Sequence, residues 1–436
     1  MADEWSTVRV GDVADSISDT HGFDKDRLVF LNTSDVLLGK ILHHSYSTVR
    51  NWPGQAKKCI RRDDILFSEI RPANGHWAYV DIDGEDYVVS TKLMVIRPRQ
   101  NRVVPRFLYH FLTYSETTRW LQHLAESRSG TFPQITFDQV AELELSLPPL
   151  EAQEQIAGFL DCIDDKIEVN RRMIETLETM ARALFKSWFV DFDPVRAKAE
   201  GRDPSLPKPL TDLFPDSFED SELGEIPKGW GVGALADLAT LNPESWSKVS
   251  RPATIQYVDL SNTKWGHIQS VTTYARDDAP SRAQRMLRLG DTIVGTVRPG
   301  NGAYALVADE GLTGSTGFAV LRPQRPEYLE FVYLAATTAE NIEALAHLAD
   351  GGAYPAVRPE VVASTQVVGA PDAVVAAFSN AASPSLLRMA ASARESRTLA
   401  ALRDALLPKL ISGELRVKDA ERFVGCGPTT LSGVPA

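Results

Sequence analysis

Through the first 150 residues, apolar positions come in short runs rich in Val, Ile, Tyr and Phe, cut by Gly, Pro, Asn and Asp, with a helical stretch over Pro105 to Ala125. Short runs of this kind predict strands, and the mixture predicts an α+β domain. The pattern changes at Pro148-Pro149, after which Glu151 to Phe189 contains no proline. With Ile156 at position a of a heptad, Ile156, Ile163, Asn170, Leu177 and Leu184 fall at a, and Phe159, Lys166, Met173, Met180 and Ser187 at d. That spacing predicts one long helix with a coiled-coil seam; about 38 residues make a rod of about 57 Å at about 1.5 Å per residue. Asn170, a polar residue at an a position, is a candidate for setting register and partner choice.

The same succession then recurs. Asp64–Val80, DILFSEIRPANGHWAYV, matches Asp291–Val307, DTIVGTVRPGNGAYALV, at an offset of 227, and Gly39-Lys40-Ile41 falls on Gly266-His267-Ile268 at the same offset. Ser90-Thr91 and Arg97-Pro98 meet Ser315-Thr316 and Arg322-Pro323 at 225, and GTFPQI from Gly130 meets GAYPAV from Gly352 at 222. An offset that drifts only by loop insertions marks one duplicated unit of about 200 residues rather than a short-period solenoid.

The second unit also ends in a helical pattern, less regular than the first because Pro384 interrupts it. The expectation is a break near Ser383-Pro384, with Ser383 capping a new helix that runs through Leu386, Leu387, Leu399, Leu402 and Leu406. Between the repeats, Pro194, Pro204, Pro207, Pro209, Pro215 and Pro227 predict an extended connector. The segments are therefore read as a first domain over 1–147, helix over 148–190, connector over 191–229, second domain over 230–370, helix over 371–417 and tail over 418–436.

Composition changes this picture little. Apolar residues at 43% and charged residues at 24% are globular values. The N-terminus reads MADEWSTVRVGD and no apolar run is long enough to span a bilayer, which predicts a soluble cytoplasmic protein. Cys59, Cys162 and Cys426 are too scattered for a disulfide framework or a zinc site.

Charge matters more. The net charge of −12 argues against nucleic acid at first sight, but residues 40–110 hold 12 basic against 7 acidic residues and residues 111–230 hold 12 against 23. Part of the first domain is thus available to an anion, although a merely solvated charged face fits the same numbers.

Catalytic chemistry is missing from the sequence. There is no GxxxxGK[ST], no HExxH, no GxSxG and no aromatic-terminated motif of an adenine methyltransferase; the neighbouring His43-His44 lacks the spacing of a helical metal site. The expectation is a protein that binds and positions, with no catalytic residue, no metal and no cofactor of its own.

The stretches PPLEAQEQIAGFLDCIDDKIEVNRRMIETLETMARALFKSWFVDFDPV (Pro148–Val195), FPDSFEDSELGEIPKGW (Phe214–Trp230) and LRDALLPKLISGELRV (Leu402–Val417) resemble the DNA-specificity subunit of type I restriction-modification systems, and the similarity covers nearly the whole chain. The resemblance implies an α+β chain with two homologous target recognition domains, each followed by a long helix, the helices pairing as an antiparallel coiled coil with pseudo-twofold symmetry. It implies double-stranded DNA as ligand, and as partners two modification subunits that use S-adenosylmethionine and restriction subunits that use ATP and magnesium. Ile156, Phe159, Ile163, Asn170, Met173, Leu177, Met180, Leu184, Leu399, Leu402 and Leu406 are the candidates for the coil. A duplicated coiled-coil adaptor without DNA binding, or a subunit serving methylation only, remain alternatives.

For DNA contact, the RPxNG element supplies Arg71, Asn74 and His76 in the first repeat and Arg298 and Asn301 in the second, residue types suited to base edges or phosphates. Domains that read different sequences must differ in their readers, so the shared Arg71 and Arg298 are read as turn-forming or phosphate-contacting, with base reading behind both. The differing candidates are Lys57, Lys58, Arg61, Arg62 and His76 in the first domain and Arg276, Arg282, Arg285 and Arg288 in the second. The GTFPQI and GAYPAV loops are expected to close each domain onto its helix.

Overall fold

A computed structural model describes residues 5–128, 133–247, 249–352 and 354–424; Cys426 lies outside them. The chain divides into two units: one holds the residues up to Asn170 together with those from Glu395 onward, the other holds Arg171–Arg394.

In the first unit, an antiparallel sheet places its strands in the order Ala14–Ile17, Leu93–Pro98, Ile65–Ser68, Trp77–Tyr79. Every residue of Ile65–Ser68 is buried because both faces of this inner strand are covered. Ile65 and Phe67 face a core shared with helices, while Leu66 faces a second core on the other side, as the twofold alternation of a strand requires. The second sheet runs Tyr46–Thr48, Arg27–Leu31, Tyr87–Ser90, Ala56–Cys59, with Arg27–Leu31 and Tyr87–Ser90 parallel and a bulge between Val89 and Ser90.

The other unit repeats this plan strand for strand. Ala239–Leu241, Phe318–Pro323, Thr292–Gly295 and Tyr304–Leu306 form its antiparallel sheet. Thr272–Ala275, Thr254–Val258, Leu312–Ser315 and Ala283–Met286 form the second, again with one parallel pair and a bulge, between Ala283 and Arg285. The duplication seen in the sequence is therefore a duplication of topology.

Two long helices, Leu150–Phe189 and Asp372–Ile411, contribute to both units. In the first unit, Ile156, Phe159, Leu160 and Ile163 share a core with Leu399, Leu406, Leu407 and Leu410, and Leu402 packs at its margin. Asp164 accepts from Arg403 Nη1 at 2.6 Å, and Asn170 Nδ2 donates to Glu395 at 2.9 Å, so the residue numbers run in opposite directions along this pair. Asn170 is fully buried. In the other unit Phe185, Trp188 and Phe189 pack on Phe378, and Met173 S accepts from Arg388 Nε at 3.3 Å, again in antiparallel sense.

The sequence placed the second stripe of the first long helix one residue early. Leu160, Ile174, Ala181 and Trp188 are buried and Ile167 is half-buried, whereas Met173 is only half-buried and Met180 is 58% exposed. Leu177 and Leu184 sit half-buried at the edge of the core. The physical reason is that the helix is covered by a domain as well as by another helix, which widens its buried face beyond a two-stranded seam.

Two further expectations are corrected. Asp372–Ile411 is continuous through Ser383-Pro384, so Ser383 caps nothing. Pro384 lies on the exposed side, and the cost of its missing N–H, about 3 kcal/mol, is offset by burial of Val374, Val375, Phe378 and Ala382 on the turns before it. The proline-rich connector is also folded: it forms a helix at Asp193–Ala199 and a hairpin of Phe218–Ser221 with Gly224–Pro227. Val195, Phe214 and Ile226 between its prolines, with Phe192 and Trp230 flanking them, enter the core of the second unit, with the Phe214 ring edge-on to Trp188 at 5.0 Å. Among the described residues, no helix is long and apolar enough to cross a membrane.

Candidate nucleic-acid interface

The RPxNG element builds the same turn twice. Arg71 and Arg298 enter it in the left-handed region, at φ 45° and 47°, a single 3₁₀ turn follows, and Gly75 and Gly302 leave it at φ 77° and 69°. Asn74 N–H donates to Arg71 O and Asn301 N–H to Arg298 O, both at 2.9 Å. The turn is anchored from below, since Arg71 N–H donates to Pro133 O at 3.1 Å and Arg298 N–H to Pro355 O at 2.7 Å. The described parts of the GTFPQI and GAYPAV loops thus grip the turn, while Ile135 and Val357 go into the cores that contain the helices; Gly130, Thr131, Phe132 and Ala353 lie outside the described residues. The arginine and asparagine side chains of both turns stand exposed.

A short hairpin lies across each turn. In the first unit Val36–Leu37 pairs with Lys40–Ile41, in the other Thr263–Lys264 pairs with His267–Ile268. Leu38 and Trp265 occupy the hairpin tips at φ 45° and 46°. Leu38 N–H donates to Gly75 O, and Trp265 N–H to Gly302 O, each at 2.7 Å. Neither residue was a candidate from the sequence; the signal was present in the 227 offset, which sets Leu38 on Trp265 immediately before the matching Gly-x-Ile.

Much of the basic excess of residues 40–110 is spent internally. Arg97 forms a two-pronged pair with the buried Asp64, Arg99 pairs with Asp15, Lys40 with Glu168 and Arg106 with Asp161. Among the sequence candidates, Lys58 Nζ donates to Leu93 O at 2.8 Å and burial pulls its pKa down, while Arg62 donates to Asp81 O. His76 Nδ1 lies 2.9 Å from Val36 O. Lys57, Arg61 and Arg71 are exposed and have no side-chain partner among the described residues.

In the second unit Arg276 and Arg282 are exposed, and Arg298 lies 4.9 Å over the ring of Tyr354, itself 72% exposed. Arg285 is half-buried against Ser245, with its pKa lowered by desolvation. Arg288 is bound to Glu244, which also takes Arg322 Nη1 at 2.7 Å. Arg251, which the sequence did not suggest, is buried and donates to Ser281 O at 3.0 Å. The turns, with Lys57, Arg61, Arg276 and Arg282, therefore lie at the surface, whereas the side chains of Lys58, Arg62, Arg285 and Arg288 are engaged in hydrogen bonds within the fold.

Hydrogen bonds from Arg288 and then Arg322 lower the Glu244 pKa from 4.5 to about 2. A folded-state value below the unfolded one means that this carboxylate stabilises the fold above about pH 4.5 and ceases to do so as pH falls toward 2. Glu244→Gln is expected to lower the melting temperature at pH 7, and the gap from wild type should close as the pH is lowered toward 2. A gap of constant size in calorimetry across that range would show that the Glu244 charge does not matter.

Among the described residues no group of three His, Cys, Asp or Glu side chains is arranged to hold a metal ion. The family of the type I restriction modification DNA specificity domain matches residues 2–179. Over 94% of this chain and 100% of its own length, the type I restriction enzyme HindI specificity subunit of Haemophilus influenzae is 33% identical. The type I restriction enzyme MjaIX specificity subunit of Methanocaldococcus jannaschii is 25% identical over 73% of this chain and 70% of its own. In fold, the chain is similar to the type I restriction-modification S subunit from M. genitalium, with a TM-score of 0.53 at 14% identity, covering 93% of this chain and 96% of that one. Two topologically identical domains, each presenting an arginine-asparagine turn beside long helices and lacking catalytic motifs, agree with that similarity: the chain belongs to the specificity subunits of type I restriction enzymes, the non-catalytic subunits that recognise DNA sequence.

Proposed function

We propose that the chain reads a bipartite, asymmetric site in double-stranded DNA, one half through each target recognition domain, with the long helices acting as an antiparallel, pseudo-twofold coiled coil that sets the spacing. The observation that carries this reading is the repetition of one topology and one anchored RPxNG turn with different surrounding side chains. Shared features suit what both halves of a duplex have in common, its backbone, and differing ones suit what distinguishes the halves, the base edges. Phosphate contact is assigned to the shared Arg71 and Arg298; Lys57 and Arg61 in the first domain and Arg276 and Arg282 in the second, which differ between the repeats, are assigned to the half-site of their own domain. Asn74, His76 and Asn301 stand beside Arg71 and Arg298 at the turns.

In the same proposal the chain positions two modification subunits, which use S-adenosylmethionine, and restriction subunits, which use ATP and magnesium, and itself holds no cofactor. Exchanging residues 1–147 for the corresponding domain of a relative tests the reading. Sequencing of methylated positions in cells that carry the hybrid and its modification partner should find one half of the target changed and the other retained. A change in both halves would refute the division of labour, and unaltered methylation would remove the first domain from recognition altogether.

A further inference from the structure

We infer that Leu38 and Trp265, the tip residues of the two hairpins, are sequence-reading contacts that meet base edges of the DNA half bound by their own domain. The inference rests on the bipartite reading and adds to it the residue through which each domain distinguishes bases.

Four observations carry it. The tips are large and apolar yet exposed, Leu38 at 67% and Trp265 at 54%. Both are held in the left-handed region, a strained conformation for a bulky L-residue that glycine or asparagine would relieve, and strain of this kind persists where the surroundings enforce it and function uses it. Enforcement is visible: the tip N–H is tied to the RPxNG turn, and the glycine that follows donates to Trp77 O at 3.0 Å in one unit and to Tyr304 O at 2.9 Å in the other. The turn also makes room for the tip. A Cβ on Gly75 would stand 2.7 Å from Leu38 Cδ2, and one on Gly302 would stand 2.5 Å from Trp265 Cδ2, so these positions admit no larger residue while the tip lies across them.

The fourth observation selects the occupant. Everything that holds the tip is common to both repeats: Arg, Pro, Asn and Gly of the turn, and the glycine after the tip. The tip itself is leucine in one and tryptophan in the other. A docking contact for a partner met in both halves would call for the same side chain twice, whereas two half-sites of different sequence call for different ones. An exposed arginine and an exposed asparagine of the turn accompany the tip in each unit, with Leu37 beside Leu38 in the first and Tyr354 beneath Arg298 in the second; the cation and amide that both units repeat suit DNA, while the apolar neighbour is present in the first alone. Apolar side chains read bases by contact with the thymine methyl and by rejecting bases that fit poorly against them.

The test uses the full chain assembled with its modification subunits, carrying Trp265→Leu or Leu38→Trp. Each new residue is the one that the sister repeat already holds on the same backbone. Trp265→Phe is measured alongside and keeps a ring over Gly302. Binding is determined on a duplex with the wild-type target, mapped from methylated positions, and on its single-base variants in both halves. Trp265→Leu should reduce discrimination by about tenfold, the scale of one mismatched base pair, at a position in the half read by the second domain, and leave the other half unchanged. Leu38→Trp should do the converse. Single-base ratios within about twofold of wild type for all three variants would overturn the inference while leaving the bipartite reading intact. Lost assembly with the modification subunits at unchanged base ratios would assign the tips to protein docking instead. A wild-type complex that discriminates in neither half would bring down the bipartite reading, and the inference with it.

Discussion

Asp64→Ala is expected to destabilise the first unit by about 3 kcal/mol, and Asp291→Ala the second by less, about 2 kcal/mol. Asp64 is 1% exposed and accepts from Arg97 Nε at 2.7 Å, from Arg97 Nη2 at 2.8 Å and from the Arg61 backbone N–H at 2.8 Å. Asp291 repeats all three bonds with Arg322 and the Arg288 N–H. Removing the carboxylate leaves a mostly buried guanidinium and a backbone donor without their acceptor, which costs more than the pair contributes when intact. The difference between the units comes from Glu244, which still holds Arg322 at 2.7 Å when Asp291 is gone, while Arg97 has no second carboxylate bond of this kind among the described residues. Since a chain of two units need not unfold in one step, hydrogen exchange resolved by segment is the suitable measurement. Equal losses in both units would show that the Glu244 bond contributes nothing.

The second large effect is Phe378→Ala, expected to cost about 3–5 kcal/mol, the usual range for a buried phenylalanine. Phe378 is fully buried, with the rings of Phe185, Trp188 and Phe189 at 5.9, 5.9 and 5.0 Å. Truncation removes the ring on which three aromatic side chains of the other long helix converge, and close packing leaves little freedom to fill the space. Exchange protection should fall in the core strands Thr292–Gly295 and Phe318–Pro323 and remain near wild type in Ile65–Ser68 and Leu93–Pro98. Loss of protection in Ile65–Ser68 to the same extent would mean that the two units do not hold their stability separately.

Arg97 and Arg322 show what kind of information a sequence carries. Arg97 entered the sequence reading as part of a basic excess, and the pairing of Arg-Pro with Arg-Pro at offset 225 marked it and Arg322 as shared. Their acceptors are 33 and 31 residues away along the chain, brought close by strand pairing, so a count of charges could not tell a buried ion pair from a free cation. The bonds of Lys58, Arg62 and Arg288 were hidden for the same reason: their partners Leu93, Asp81 and Glu244 are distant in sequence.

The sequence alone determined the duplication, the α+β class of the repeated domain, the two long helices and the lack of catalytic motifs. Each of these is written in local periodicity or in residue identity compared at a fixed offset, and neither needs knowledge of what the chain folds against. Tertiary structure decided the rest. Pro384 stays within a helix and the connector folds because apolar side chains on neighbouring turns find a core that the local pattern does not show. The helix stripe lies at Leu160, Ile174 and Trp188 rather than at Met173 and Met180 because a domain, as well as a second helix, covers that face. Leu38 and Trp265 become hairpin tips only when the RPxNG turn, 37 residues further along, supplies the carbonyl that fixes their backbone. Burial and long-range hydrogen bonding are properties of the folded chain, and they determine which side chains are left at the surface to meet DNA.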